Sequence, residues 1–143
     1  MTAHIRDYNM EQIVFDIGSN VNLLTRKTWE LMGKPTLRWS HVQLRMASQQ
    51  KIILLGRLSG VTVDLDGVRS LAEFEVIEIV DDCNPYPSLL GIEWAFDNNA
   101  IINLKKRHMS FEDGRNKFTT PIDPMEGQRY VEPVKEEVEL DNI

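Results

Sequence analysis

The chain has 143 residues, of which 42% are hydrophobic and 27% charged, and its net charge is −6. This composition predicts a soluble globular domain, and no apolar run approaches the length that a membrane-spanning helix needs. The N-terminus lacks the apolar core of a signal peptide, and the single cysteine excludes an intrachain disulfide, so we expect a cytoplasmic protein without a membrane partner. That cysteine, Cys83, lies among Asp, Asn and Pro residues, and we interpret it as a bystander rather than a nucleophile.

The acidic charge is concentrated towards the C-terminus. Residues 119–143 contain seven acidic and two basic residues, whereas residues 1–118 contain fifteen acidic and fourteen basic ones. The body of the chain is therefore nearly neutral, which argues against a nucleic-acid partner for this domain. Three of the six prolines also lie beyond residue 118, so we predict a domain over 1–118 and a mobile, acidic linker or tail over 119–143.

Short apolar runs separated by turn-forming residues predict many strands and little helix. Thr25 is placed to cap a helix over 26–32 that ends at Gly33, and a second brief helix is predicted over 92–96. The pair Asp66-Gly67 predicts a tight hairpin turn. The predicted strands cover residues 3–6, 10–15, 21–24, 41–46, 51–58, 61–65, 71–80, 88–91, 100–104 and 108–111. These elements predict a mainly β domain, either barrel-like or a folded sheet.

The stretch over residues 13–20 differs from the other predicted strands because its apolar run leads directly to a carboxylate. Asp16 ends the run, Gly18 allows a sharp turn, and Ser19 follows. An Asp-x-Gly-Ser sequence is also common as an ordinary turn, in which the carboxylate accepts hydrogen bonds from nearby amides. Because a charge at the end of a buried strand is costly unless it is hydrogen-bonded or used, Asp16 is the best candidate for chemistry in this chain.

Other catalytic and metal-binding patterns are missing from the sequence. His4, His41 and His108 lack the spacing of metal ligands, and Ser19 has no evident histidine partner for a serine triad. The sequence contains neither the Gly-x-x-x-x-Gly-Lys phosphate-binding loop nor the Gly-x-Gly-x-x-Gly loop. We therefore expect neither a metal nor a cofactor.

Two separate elements together resemble a known family. An Asp-x-Gly-Ser loop after an apolar strand resembles the Asp-Thr/Ser-Gly-Ala/Ser loop of aspartic proteases, and a later apolar-apolar-Gly strand resembles the element that braces it. The residues concerned are Asp16, Ile17, Gly18 and Ser19 in the loop and Leu89, Leu90 and Gly91 in the strand. Over residues 3–112 the chain is similar to the retropepsin-like proteases of gypsy-type plant retrotransposon Gag-Pol polyproteins. The resemblance implies a closed β-barrel of the acid protease fold with one or two short helices.

The resemblance also implies a mechanism and a set of partners. In this mechanism two carboxylates share one proton; one activates a water molecule and the other protonates the peptide carbonyl. Because this chain has only one such loop, a complete site needs two copies of the chain, and each copy contributes its Asp16. The implied substrate is an extended segment of the parent polyprotein, cleaved in the cytoplasm or within virus-like particles. A flap that closes over this substrate is expected at Met46, Ala47, Ser48, Gln49, Gln50 and Lys51.

Ile17 departs from the family pattern, which has Thr or Ser at this position with a hydroxyl that bonds across the dimer. Isoleucine cannot make that bond, so we expect Ile17 to affect dimer strength and catalytic rate. Three functions remain open: a homodimeric aspartic endopeptidase, a retropepsin-like module that has lost activity and serves dimerisation or interaction, and an unrelated β-domain that binds through an exposed sheet edge. Asp16, Gly18 and the Leu-Leu-Gly strand favour the first function, and Ile17 favours the second.

Overall fold

The computed structural model describes residues 1–41, 51–65, 67–80, 85–113, 116–121 and 131–134. Within this part the chain is mainly β with two short helices, which confirms the predicted fold class. The elements in chain order are β1 (Ala3–Ile5), β2 (Tyr8–Met10), β3 (Val14–Asp16), β4 (Asn22–Thr25), α1 (Arg26–Leu31), β5 (Ile52–Leu65), β6 (Val68–Ile79), β7 (Ser88–Gly91), α2 (Ile92–Asp97), β8 (Ile101–Asn103), β9 (His108–Asp113), β10 (Asn116–Pro121) and β11 (Val131–Pro133). No helix of the described residues is long and apolar enough to cross a membrane.

Eight strands form one curled sheet, and three form a second, smaller sheet. The large sheet has the order β11-β2-β1-β5-β6-β4-β7-β3, and the small sheet has the order β10-β9-β8. The long antiparallel hairpin of β5 and β6 is the largest unit of the large sheet, and Leu65 pairs with Val68 where the Asp-Gly pair predicted a turn. Only two residues separate this pair, and so short a connection sets the register of both strands.

Helix α1 begins where its sequence predicted and ends one residue earlier, at Leu31. Thr25 precedes the helix in an extended conformation, and its side-chain oxygen accepts a hydrogen bond from the backbone N–H of Thr28. Such a cap satisfies an N–H group that has no partner within the helix. Gly33 follows the last turn with a φ of +85°, a conformation that glycine adopts at little steric cost.

Three of the predicted strands are divided or joined differently in the structure. The single strand predicted over 10–15 is divided into β2 and β3, and Gln12 between them has a φ of +58°, which no extended strand contains. The separate strands predicted over 51–58 and 61–65 are one strand, β5. Its register shifts between Leu58 and Val61, so the Ser-Gly pair that predicted a break instead forms a bulge or irregularity within the ladder.

Strand pairing continues beyond residue 118, where the domain was predicted to end. β10 pairs with β9 as far as Pro121, opposite His108, and β11 adds to the edge of the large sheet by pairing with β2. Backbone pairing of this kind does not need an apolar sequence, and the domain boundary at residue 118 stays a prediction. Residues 122–130 and 135–143 lie outside the described part of the chain, and the linker predicted there stays a prediction.

Two central strands, β4 and β7, are buried on both of their faces. Leu23 and Leu24 are adjacent in β4 and point to opposite faces, yet each has at most 1% of its surface exposed. Leu89 and Leu90 in β7 are similarly buried, and each pair contributes one residue to the main core cluster and one to a smaller cluster. Fully burying one such side chain stabilises the fold by about 1.5–3 kcal/mol, so these two strands provide a rigid base for the loop beside them.

Candidate functional site

The Asp16 loop is defined by the way β7 inserts between two strands that are neighbours in sequence. β3 pairs with β7 in parallel, with Asp16 opposite Gly91, and β4 pairs with the other side of β7 in an antiparallel direction. The segment 17–21 joins β3 to β4, so it has to cross the end of β7. The apolar-apolar-Gly strand predicted to brace the loop therefore pairs directly with the strand that carries Asp16.

Asp16 lies at the end of β3 with an exposed side chain. Its Oδ1 atom accepts a hydrogen bond of 2.8 Å from the backbone N–H of Gly18, and its backbone carbonyl accepts one of 3.1 Å from the N–H of Ser19. The other carboxylate oxygen, Oδ2, has no hydrogen-bond partner among the described residues. The loop thus fixes the orientation of the exposed carboxylate through one of its two oxygens.

Gly91 is the point at which the crossing segment contacts β7. A Cβ atom added at this position would lie 2.6 Å from the carbonyl oxygens of both Ser19 and Val21, which is closer than real Cβ contacts come. The neighbouring atoms are backbone atoms, which cannot rotate away as a flexible side chain could. Only glycine therefore allows the loop to lie this close to the strand.

Ser19 has a structural function within the loop rather than a nucleophilic one. Its hydroxyl donates a hydrogen bond of 2.8 Å to the carbonyl of Val21 and accepts one of 3.3 Å from the N–H of the same residue. Its own carbonyl accepts a hydrogen bond of 2.8 Å from the N–H of Ile92 at the start of α2. These bonds use the hydroxyl to hold the turn.

Asn22 is a site residue that the sequence did not identify. Its Oδ1 accepts a hydrogen bond of 2.9 Å from the N–H of Gly91, and its Nδ2 donates one of 3.1 Å to the carbonyl of Glu73. One amide group thereby ties β4 to β7 and β6 at the end of the Asp16 loop. The only sequence signal was an amide residue at the start of an otherwise apolar strand, where its polarity is unfavourable unless both its ends are bonded.

Replacing Asn22 with alanine is expected to destabilise the protein by roughly 1–3 kcal/mol. Two hydrogen bonds are lost, each worth about 0.5–1.5 kcal/mol net. Urea denaturation, monitored by circular dichroism, measures the change in the free energy of unfolding. Asn20→Ala is the matched control, because Asn20 is exposed and makes no such bond. Equal stability of the two variants would show that the Asn22 amide does not support the loop.

The remaining predicted site residues are placed as follows. Ile17, beside Asp16, has 56% of its surface exposed, although it is a large apolar residue. Five of the six predicted flap residues lie outside the described part of the chain: Met46, Ala47, Ser48, Gln49 and Gln50. Cys83 also lies outside it. Lys51 is described and exposed, and its carbonyl accepts a hydrogen bond of 3.1 Å from the N–H of Val80. Within the described ranges, no three His, Cys, Asp or Glu residues converge as a possible metal site.

Comparison with solved structures relates this geometry to a known fold. The chain superposes on the retroviral protease-like domain of Ddi1 from Leishmania major with a TM-score of 0.60 and 21% sequence identity, covering 85% of this chain and 92% of that domain. No protein-family model matches the chain, and no curated protein matches it in sequence. The fold of this chain is therefore retropepsin-like, as the loop and its bracing strand implied.

Proposed function

We propose that this chain is one protomer of a homodimeric aspartic endopeptidase that cleaves a polypeptide, with the polyprotein of a gypsy-type retrotransposon as its substrate. The observation that carries the proposal is the exposed Asp16 carboxylate, which one loop amide orients and a buried strand supports. This placement suits a group that has to meet a second carboxylate, since two close carboxylates share one proton and divide the roles of acid and base.

In the proposed mechanism the two Asp16 side chains lie on either side of a dimer axis with a water molecule between them. The ionised carboxylate removes a proton from this water, which attacks the peptide carbonyl, while the protonated carboxyl donates its proton to the carbonyl oxygen. The bond from the Gly18 N–H to Oδ1 holds each carboxylate in its orientation. A single protomer supplies only half of such a site, which accounts for the open surface at Asp16.

The second candidate is a retropepsin-like dimerisation module without protease activity, and one residue favours it. Ile17 occupies the position where the resemblance implies a hydroxyl that bonds across the dimer, and its exposed side chain offers apolar contact instead. Incubating the purified protein at several concentrations with a peptide library, and identifying new termini by mass spectrometry, separates the two functions. New termini whose yield rises steeply with protein concentration support the dimeric protease, whereas a stable dimer that produces none supports the module.

Replacing Ile17 with threonine is expected to strengthen the dimer about five- to a hundred-fold. Each protomer would gain a buried hydrogen bond worth about 0.5–1.5 kcal/mol, or roughly 1–3 kcal/mol for the pair. The two isoleucines contribute apolar contact at about 25 cal/mol per Å² buried, which offsets only part of this gain because a methyl group leaves backbone amides without an acceptor. Sedimentation equilibrium of both proteins measures the difference.

Ile17→Val provides the control for this comparison, because it keeps the branched shape without adding a hydroxyl and is expected to leave the dimer no tighter. Higher activity of Ile17→Thr at low protein concentration should accompany its tighter association. A looser dimer for the threonine variant would show that the loop is built around isoleucine and that the family pattern does not transfer to this position.

A further inference from the structure

A cavity of about 570 Å³ lies between the β5–β6 hairpin, α2 and residues 20–22 at the end of the Asp16 loop, and Asp16 itself does not line it. Four carboxylates and one guanidinium line the cavity, so its wall carries an excess of negative charge. These residues are Glu73, Glu75, Glu93, Asp97 and Arg57. Glu93 and Asp97 are one helical turn apart on α2 and therefore share a face, while Glu73 and Glu75 come from β6.

Glu75 at this cavity is a carboxylate with only one of its oxygens satisfied. Its side chain is 4% exposed, and its Oε1 accepts a hydrogen bond of 2.7 Å from the Nε of Arg57, which stands opposite it in the β5–β6 ladder. Its Oε2 is buried and has no hydrogen-bond partner among the described residues. A buried carboxylate oxygen is unfavourable in that state, so a donor from a ligand would find an acceptor already in place.

Two further residues that line the cavity each carry a buried polar atom with no hydrogen-bond partner in the described chain. These atoms are Nε1 of Trp94, a residue only 3% exposed, and Oγ of Ser70. An indole N–H can only donate, a carboxylate can only accept, and a hydroxyl can do both. The wall thus combines an unused donor with an unused acceptor, which matches a ligand that carries N–H groups as well as a carbonyl.

The cavity also has an apolar side. Leu71 is 75% exposed and lines it together with Val21 and Ala72. A long basic side chain has an alkyl stem that covers such a surface and a charged head that reaches carboxylates beyond it. The peptide group of the same residue supplies the carbonyl that an indole N–H requires.

We propose that this cavity, which borders the Asp16 loop at Asn20 and Val21 but does not include Asp16, binds a lysine or arginine residue of another polypeptide. The cationic head lies among Glu73, Glu93 and Asp97, an N–H group of the ligand donates to Oε2 of Glu75, and Nε1 of Trp94 donates to a backbone carbonyl. The proposal does not depend on protease activity.

The test uses N-acetyl-arginine methylamide as the probe and N-acetyl-citrulline methylamide, which has the same shape without the charge, as its control. Binding is followed through the indole N–H signal of Trp94 in a nitrogen–proton NMR spectrum. The chain has three tryptophans, so Trp29→Phe and Trp39→Phe assign the other two signals. We expect a saturable shift of the Trp94 signal with the arginine probe and roughly tenfold weaker binding of the citrulline probe.

Variants then locate the bound cation. Glu75→Gln is expected to weaken binding about ten- to a hundred-fold, since a charged acceptor is lost. Glu93→Gln and Asp97→Asn, which change exposed side chains and leave the core intact, are expected to weaken it about two- to fivefold each. Glu30→Gln, on α1 and outside the cavity, is the matched control and is expected to have no effect.

Three results would overturn the proposal: an unmoved Trp94 signal, equal binding of the citrulline probe, or undiminished binding by the Glu93→Gln and Asp97→Asn variants. Agmatine, which keeps the guanidinium but has no peptide carbonyl, tests whether the ligand is a polypeptide. It is expected to bind at least about fivefold more weakly than the blocked arginine, because it offers Nε1 of Trp94 no acceptor. Equal binding of agmatine would reject a polypeptide ligand.

Discussion

Asp16→Asn is expected to abolish peptide cleavage while leaving the folded structure intact. The amide has almost the same volume and still accepts the hydrogen bond from the Gly18 N–H, but it can neither remove a proton from water nor share one with the partner's Asp16. We expect a loss of at least about 10³-fold, since the proposed dimer would lose both its acid and its base. Cleavage of a peptide library, with new termini counted by mass spectrometry, measures the effect.

The pH dependence of the unmodified protein tests the same chemistry independently. The mechanism needs one proton on the pair, so activity should fall when the pH rises far enough to remove that proton. The control for the Asp16→Asn variant is Asp7→Asn, which changes an exposed residue between β1 and β2 and should retain full activity. Undiminished cleavage by a folded Asp16→Asn protein would reject the aspartic protease, and unchanged sedimentation would still allow a dimerisation module.

Gly91→Ala is expected to destabilise the protein by roughly 3 kcal/mol, at the upper end of what overpacking costs. The added methyl group would lie 2.6 Å from the carbonyl oxygens of Ser19 and Val21, and the backbone would have to move to accommodate it. That movement would displace the loop that holds Asp16, so activity should fall together with stability. Urea denaturation gives the change in the free energy of unfolding.

Gly33→Ala is the matched control for this prediction. Gly33 has a φ of +85°, so alanine there is strained by its backbone conformation, but nothing lies within 4 Å of the added Cβ. That strain alone costs about 1–2 kcal/mol. If Gly91→Ala proved no worse than Gly33→Ala, the contact between the crossing loop and β7 would not be a tight one.

Local chemistry explains why much of this structure could be predicted from the sequence. The cap at Thr25 and the stop at Gly33 satisfy or relax backbone groups within a few residues, so both ends of α1 follow from nearby sequence. The Asp-Gly hairpin turn and the Leu-Leu-Gly strand are local in the same sense. The bounds of β5 could not be predicted from nearby sequence, because a bulge within a ladder depends on the partner strand that tolerates the irregularity.

The sequence by itself identified Asp16 as the candidate for chemistry and the likeness of its loop to those of aspartic proteases. Both follow from an apolar strand that ends at Asp16, a small turn, and a later apolar-apolar-Gly strand. Only the tertiary structure decided that β7 lies between β3 and β4, that Asn22 ties the three strands together, and that Glu75 and Trp94 line one cavity. These contacts join residues far apart in the chain. They form through burial and backbone pairing across the whole sheet, and no local pattern encodes them.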